Sequence, residues 1–341
     1  MPLAASPGLD PFQPLREFIA EALRQRQDEP ADSVKAPSAY WLDYNRFSRY
    51  IRTLPPEELG SIRYHTWHFT GENYFPYHTP NRKDQARILG HYGAICAGLG
   101  GVYPHEPATG LGYETPHGKV SASVVRYAVV LRDIVARGLL DRTTSKTVLE
   151  IGGGYGGLAA IFLQYNPTLA YLLCDLEETL FVQGVNLANQ FGHERIHPVR
   201  TAEDIRRLQA GHVYLVPQVR SELLRSAACH LVLNQQSMQE MTAAQVDHYV
   251  GIIRHLDCPF YSCNKNQHSR HIAGPKGLVT DLHALLAAQF RILWDSHQDL
   301  SPLLRIYLRN RILRRLLSKL TRKAFEPVGE ESFRRFLYGT K

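Results

Sequence analysis

Residues 147–179, TVLEIGGGYGGLAAIFLQYNPTLAYLLCDLEET, hold a strand, a glycine turn, a helix, a second strand and an acid in one unbroken unit. Val148 to Ile151 is a short apolar run that ends in Gly152, Gly153, Gly154, Gly156 and Gly157. Glycine has no Cβ, so the backbone here can turn tightly and let a ligand lie against its N–H groups. Leu158, Ile161, Phe162 and Tyr165 repeat at helical spacing, and Pro167 stops the helix. The apolar run Ala170 to Cys174 then delivers Asp175 to a strand's C-terminal edge. In a doubly wound sheet that edge lines the ligand crevice, and an acid there can accept hydrogen bonds from both hydroxyls of a ribose. The unit reads as a nucleotide-cofactor site.

Two cofactors fit the glycines. Gly152, Gly154 and Gly157 satisfy the dinucleotide spacing GxGxxG, which is weak evidence alone, and leave an NAD-dependent oxidoreductase as an alternative. Glu150, Gly152, Gly154 and Gly156 also satisfy ExGxGxG. A carboxylate beside a pyrophosphate gains nothing, whereas a carboxylate beside a cationic amino group does. LEIGGGYG followed by CDLEETL resembles the first motif and the ribose acid of class I S-adenosylmethionine-dependent methyltransferases. That resemblance implies S-adenosyl-L-methionine as cofactor, with contacts from Glu150, Gly152, Gly154, Tyr155 and Gly156 of the turn, and from Asp175 and Leu176 at the next strand edge.

The other elements complete an α/β fold. Further strands are expected at 212–216, 229–233, 260–264 and 290–295, with an antiparallel last strand at 333–339 and an inserted helix at 195–210. The expected fold is a doubly wound, mostly parallel seven-stranded sheet of Rossmann-like type behind a mainly helical N-terminal region. Its expected divisions are a cap and substrate region at 1–120, the cofactor-binding α/β domain at 121–300, and a basic C-terminal helix with the final strand at 301–341. Gln218 ends the third strand, where adenine lies in this architecture. The fourth strand delivers Asn234 and Gln235 to the crevice as cofactor contacts, followed by Ser237 and Glu240. Thr242 and Gln245 form a capping box that starts the next helix.

The sequence NQQSMQEMTAAQVDHYV, with PFYSCNKN downstream, is similar to a sugar O-methyltransferase family, matched here by Asn234, Ser237, Glu240, Met241 and Tyr249. The similarity covers about a third of the chain, and Glu177 stands where small-molecule O-methyltransferases carry the proline of a DLP tripeptide. It implies a small-molecule hydroxyl acceptor, probed by a general base. Glu240, His268 and His271 are the candidates, since an alcohol is a poor nucleophile at neutral pH. Glu240 also stands just before a helix N-terminus, where the dipole stabilises a carboxylate without any catalytic duty.

Residues 63–78, RYHTWHFTGENYFPYH, pack three histidines and six other aromatic rings into one segment. Such rings stack on a sugar or a planar acceptor, so His65, His68 and Tyr74 are candidate substrate contacts, although the same rings could be core alone. No acid accompanies the histidines in a ligand pattern, and no metal is expected.

Composition sets the remaining bounds. The five cysteines are odd in number and unclustered, three of them apparently within strands, which suits reduced core residues of a cytoplasmic protein. The start lacks the basic and apolar runs of a signal peptide, and no uncharged stretch reaches the ~20 residues of a transmembrane helix. The net charge of +7 comes from residues 301–341, where 11 Lys and Arg face 3 acids. A leucine face and a basic face alternate there, as in a docked helix with a solvated side. Nucleic acid is not the expected partner, although a nucleic-acid methyltransferase would use such a tail, and a homo-oligomer is left open.

Overall fold

A computed structural model of the chain describes residues 10–30, 33–266, 278–279, 281–299 and 334–341. Ten strands are described. A two-stranded hairpin, β1 (Tyr113–Thr115) and β2 (Gly118–Val120), stands apart from the main sheet of β3 (Thr147–Ile151), β4 (Ala170–Asp175), β5 (Ile196–Pro198), β6 (Val213–Pro217), β7 (Leu231–Gln235), β8 (Phe260–Asn264), β9 (Arg291–Asp295) and β10 (Arg334–Gly339). The order in space is β5-β6-β4-β3-β7-β8-β10-β9. All neighbours are parallel except those of β10, which runs antiparallel to both β8 and β9. The order reverses between β4 and β7 at β3, so the C-terminal ends of these three strands open the crevice in which a doubly wound sheet binds its ligand.

Helices cover both faces. On one, Phe18, Ile19, Ile51, Ile95, Val125 and Phe162 share a core with Val148, Leu173 and Leu233 of the sheet. On the other, Val246, Tyr249, Ile253 and Leu286 pack on Leu149, Leu172 and Val232. Strands buried on both faces explain why 148–151 and 170–174 read as continuous apolar runs rather than alternating ones.

The mostly parallel sheet, the antiparallel last strand and the N-terminal helices match the expected fold, with three local differences. The sheet has an eighth strand. Ile196–Pro198 pairs with β6 where one helix is expected across 195–210, and the helical part is confined to Ala202–Arg206 behind a Thr201–Asp204 capping box. Proline lacks the N–H to continue a ladder, so the strand stays short and at the edge. The glycine- and proline-rich stretch 98–117, whose composition predicts loop throughout, contains β1. Asn234 and Gln235 are the last residues of β7, not part of the connection after it. Of the cysteines, all free, only Cys174 and Cys263 lie within strands. Most of the basic 301–341 segment lies outside the described residues, and no described helix is long and apolar enough to cross a membrane.

Candidate active site

A cavity opens at the reversal of strand order. Its floor is Glu150, Gly152, Gly153 and Gly154; Asp175, Leu176 and Thr179 form one wall, and Gln235, Gln236, Ser237 and Glu240 the opposite one. Arg126 and Tyr127 reach it from the helix Ala122–Ala136, and Ser38, Trp41 and Phe69 from the N-terminal helices.

The turn is held from beneath. The Gly152 N–H donates to the Cys174 carbonyl at 2.8 Å. Gly152 has φ +76°, and a Cβ there would lie 2.0 Å from the Ser237 Oγ. That hydroxyl donates to the Ile151 carbonyl at 3.0 Å and receives the Asn234 amide at 2.5 Å. Asn234 also donates to the Ile151 carbonyl (2.7 Å) and accepts from the Met238 N–H (3.3 Å) and the Asn264 amide (2.7 Å). Its hydrogen bonds thus go to stapling β7 to β3 and β8, and it does not line the cavity. Gln236, the next residue but one, has φ +61° without being glycine, a strained conformation at the cavity edge.

Three carboxyl groups converge on this space. Glu150, 2% exposed, accepts the Tyr171 hydroxyl at 2.9 Å, and burial pushes its pKa up to about 8. Asp175 accepts the Gln183 amide at 2.6 Å and the Gly154 N–H at 3.3 Å through Oδ2, and the Leu176 N–H at 2.7 Å through Oδ1. Burial nonetheless raises it to about 7. Glu240 is raised to about 8 by burial, against hydrogen bonds from Gln239 and the Trp41 indole N–H. The Asp175 charge adds to the push on both glutamates. Among the described lining residues Arg126 is the single cation, and it donates to the Gln236 amide oxygen at 3.4 Å. Both polar atoms of the Gln235 amide, a residue 8% exposed, and the Thr179 hydroxyl are buried without partners. Buried amides left unpaired cost about 1–3 kcal/mol each, so the lining is built for a polar ligand.

Of the residues singled out in the sequence, Glu150, Gly152, Gly154, Asp175, Leu176, Gln218, Gln235 and Glu240 meet at this cavity. Gly156 begins the helix behind the turn, and Tyr155 is buried away from the cavity beneath the N-terminal layer. The Gln218 amide donates to the Val34 carbonyl at 3.0 Å and the Ala36 carbonyl at 3.3 Å, so part of its bonding capacity holds the N-terminal segment. His65 does not reach the cavity; its Nδ1 meets the Tyr50 hydroxyl at 3.0 Å. Tyr74 is 40% exposed and stacks on Phe75. The His68 ring packs between Trp67 and Phe69, both nitrogens unpartnered, and only Phe69 of this segment reaches the cavity. His268 and His271 lie outside the described residues.

Trp41 and Ser38 carry no motif and were not singled out in the sequence. Ser38 donates to the Glu240 carbonyl at 2.9 Å across 202 residues of chain. The departure at Glu177 also has a local reason. With Glu178 it receives Arg26 of the first helix at 2.6 Å, an ion pair that a proline in its place could not make.

No family profile matches the chain, and no curated protein matches it. Among solved structures it is similar to the mitomycin 7-O-methyltransferase MmcR (12% identity, 64% of this chain and 57% of that one, TM-score 0.35). It is also similar to the Haemonchus contortus phosphoethanolamine N-methyltransferase 2 (11%, 73% and 59%, TM-score 0.36) and to the pyocyanin biosynthetic protein PhzM (16%, 84% and 77%, TM-score 0.36). The chain therefore spans less than two thirds of the first two of these proteins. Strand order, with one antiparallel strand set between the last two parallel ones, independently gives this chain the class I methyltransferase fold.

Proposed function

We propose that the chain is an S-adenosylmethionine-dependent O-methyltransferase acting on a small-molecule hydroxyl. The observation that carries this reading is the acid lining of the cavity: three carboxyl groups, Glu150, Asp175 and Glu240, against a single Arg126. A dinucleotide would bring two phosphate charges against the turn and hold these acids protonated. A nucleoside with a sulfonium and an amino group draws them into their ionised form and so gains complementary charge. The glycine turn, the acid at the end of β4 and the unpaired Gln235 amide also suit a nucleoside joined to an amino acid.

When bound, the cofactor supplies an electrophilic methyl group on a positively charged sulfur. The chain holds and orients the reactants. Asp175, at the C-terminal end of β4 beside the turn, is the acid placed for the ribose hydroxyls. Glu150 lies beneath the turn for the amino group, and Trp41 and Phe69 close the side across from β3. Glu240 would take the proton of the acceptor hydroxyl as that oxygen receives the methyl group supplied by the bound cofactor. Its raised pKa matches a base working near neutral pH. Much of the acceleration in such a site comes from attack geometry and exclusion of water.

The finer reading is a sugar or sugar-containing acceptor. Its support is the NQQSMQEM pattern together with an aromatic wall of Trp41 and Phe69, whose rings are stacked with centroids 6.1 Å apart. The test is calorimetric titration of S-adenosylhomocysteine and of NADH into the wild type and Asp175→Ala. Micromolar binding of the first, lost in the variant and absent for NADH, is the expected result. Binding of NADH alone would overturn the proposal in favour of hydride transfer. Methyl transfer from labelled cofactor to a panel of glycosides and phenols then separates sugar from aromatic acceptors.

A further inference from the structure

Tyr155 sits in the middle of the glycine turn, yet its ring points away from the cavity and is 2% exposed. The Arg63 guanidinium lies over that ring, 3.8 Å from its centroid. At its hydroxyl end is Gly157, where a Cβ would fall 2.3 Å from the Tyr155 Cζ and 2.6 Å from Tyr127, and the hydroxyl donates to Glu106 at 3.3 Å. The ring is therefore held by a cation over its face and by a position at its tip that only glycine can fill. Arg63, itself 1% exposed, is fixed in turn. Its Nη2 donates to Glu72 and to Glu106, each at 2.9 Å, its Nε to Glu106 at 3.1 Å, and its Nη1 to the Thr66 hydroxyl at 2.6 Å. The two acids continue the network into the helix before β3. Glu106 accepts the Ser121 hydroxyl at 2.7 Å, and Glu72 accepts the Ala122 N–H at 2.9 Å and the Ser123 hydroxyl at 2.5 Å. That helix carries Arg126 and Tyr127 into the cavity.

We propose that Arg63 and Tyr155 are positioning residues, through which the N-terminal layer holds the glycine turn and the Arg126–Tyr127 wall in the arrangement that binds the cofactor. A guanidinium over a desolvated aromatic face is a directional contact, and its two buried carboxylate partners leave Arg63 no freedom to follow a displaced turn. Neither residue lines the cavity. They act on affinity by sparing the ligand the cost of ordering the turn.

The inference rests on the methyltransferase reading, and one experiment separates the two. S-adenosylhomocysteine is titrated at a temperature where circular dichroism finds every variant folded, using the wild type, Tyr155→Phe, Tyr155→Leu and Arg63→Lys. Amide exchange of residues 152–157 is followed in each free protein. Tyr155→Phe keeps the ring under Arg63, loses only the long hydroxyl bond to Glu106, which keeps Arg63 and Ser121 as partners, and is expected to bind within about threefold of wild type. Tyr155→Leu is expected to bind at least tenfold more weakly, with faster exchange in the turn. Arg63→Lys keeps a cation for the two acids but loses the planar contact, and is expected to fall between them. Should Tyr155→Leu not fold, the Arg63→Lys affinity and exchange decide. A folded Tyr155→Leu or Arg63→Lys with wild-type affinity and exchange overturns the inference while leaving the function proposal standing. A wild type that binds no S-adenosylhomocysteine overturns the function proposal itself.

Discussion

The sheet from residue 147 onward and the helical layer before it build one cavity by opposite means. In the sheet, each site residue sits within a few positions of a strand end, and its partners are the neighbouring strands. In the N-terminal layer, the residues that matter bond to groups far away in sequence: Arg63 to Glu106, Ser38 to Glu240, and Arg26 to Glu177. A site assembled this way has a floor set by local backbone geometry and a roof set by a few long-range polar contacts. Substitutions in the floor should therefore remove binding and stability together. Those in the roof should alter affinity or rate and leave the sheet intact.

The largest effect should come from Gly152→Ala. The methyl group would meet the Ser237 hydroxyl and require a left-handed backbone, so the turn must move or the Ser237–Asn234 staple must break. We expect a loss of about 2–4 kcal/mol in urea denaturation and no measurable S-adenosylhomocysteine binding. If Gly152→Ala bound normally, the floor would be far softer than the contrast requires.

Glu240→Gln tests chemistry where roof and floor meet. With the base removed and the shape kept, kcat should fall about 10²–10³-fold and cofactor affinity should stay within about threefold. Because burial raises Glu240 to about 8 in the free protein, the wild-type kcat/KM for cofactor should climb with pH up to that region as the carboxyl loses its proton, and the variant should show a shallower limb. An unchanged profile would move the base to another residue.

The contrast also governs what could be read from the sequence. The glycine turn, Asp175, the antiparallel last strand and the Thr242–Gln245 capping box were legible because each is a short pattern with a local cause. The edge strand Ile196–Pro198 was not, since three residues give no period to detect. In residues 63–78 the rings drew attention, while the members that organise the segment are Arg63 and Glu72, isolated charges in an apolar stretch whose partners lie up to 51 residues away. Trp41 looked like one more apolar helix residue, and its meeting with Glu240 depends on packing across about 200 positions.

A smaller effect comes from the acids acting together. Glu150 and Glu240 near 8 and Asp175 near 7 hold protons in the folded protein that the unfolded chain releases near 4. Between those limits the unfolded state binds fewer protons, so these groups make the free protein less stable as pH rises from about 4 to about 8. A cation in the cavity lowers all three pKa values. Binding of S-adenosylmethionine should thus release protons at pH 7 and tighten about tenfold from pH 6 to 8, with a weaker trend for the homocysteine product, which lacks the sulfonium charge. Titration in buffers of different ionisation enthalpy counts the protons. Equal pH dependence for both ligands would mean that the acids do not face the sulfur.

The smallest expected effect is at Gln218, and it divides roof from floor most sharply. Its amide holds the Val34 and Ala36 carbonyls, and Gln245 donates to Ala36 as well at 2.7 Å, so the segment leading to Ser38 and Trp41 is pinned by three hydrogen bonds at two carbonyls beside the cavity. If Gln218 serves this strap, Gln218→Ala should loosen it for entry and exit alike. Association and dissociation rates of S-adenosylhomocysteine, followed by Trp41 fluorescence in stopped flow, should then both rise, leaving Kd within about threefold because Gln245 still holds Ala36. If Gln218 instead binds the adenine ring, only dissociation should quicken, and Kd should weaken about tenfold or more through a lost ligand hydrogen bond. The first result makes Gln218 a roof residue that happens to follow a strand end. The second returns it to the floor and shortens the list of contacts by which the N-terminal layer governs the cavity.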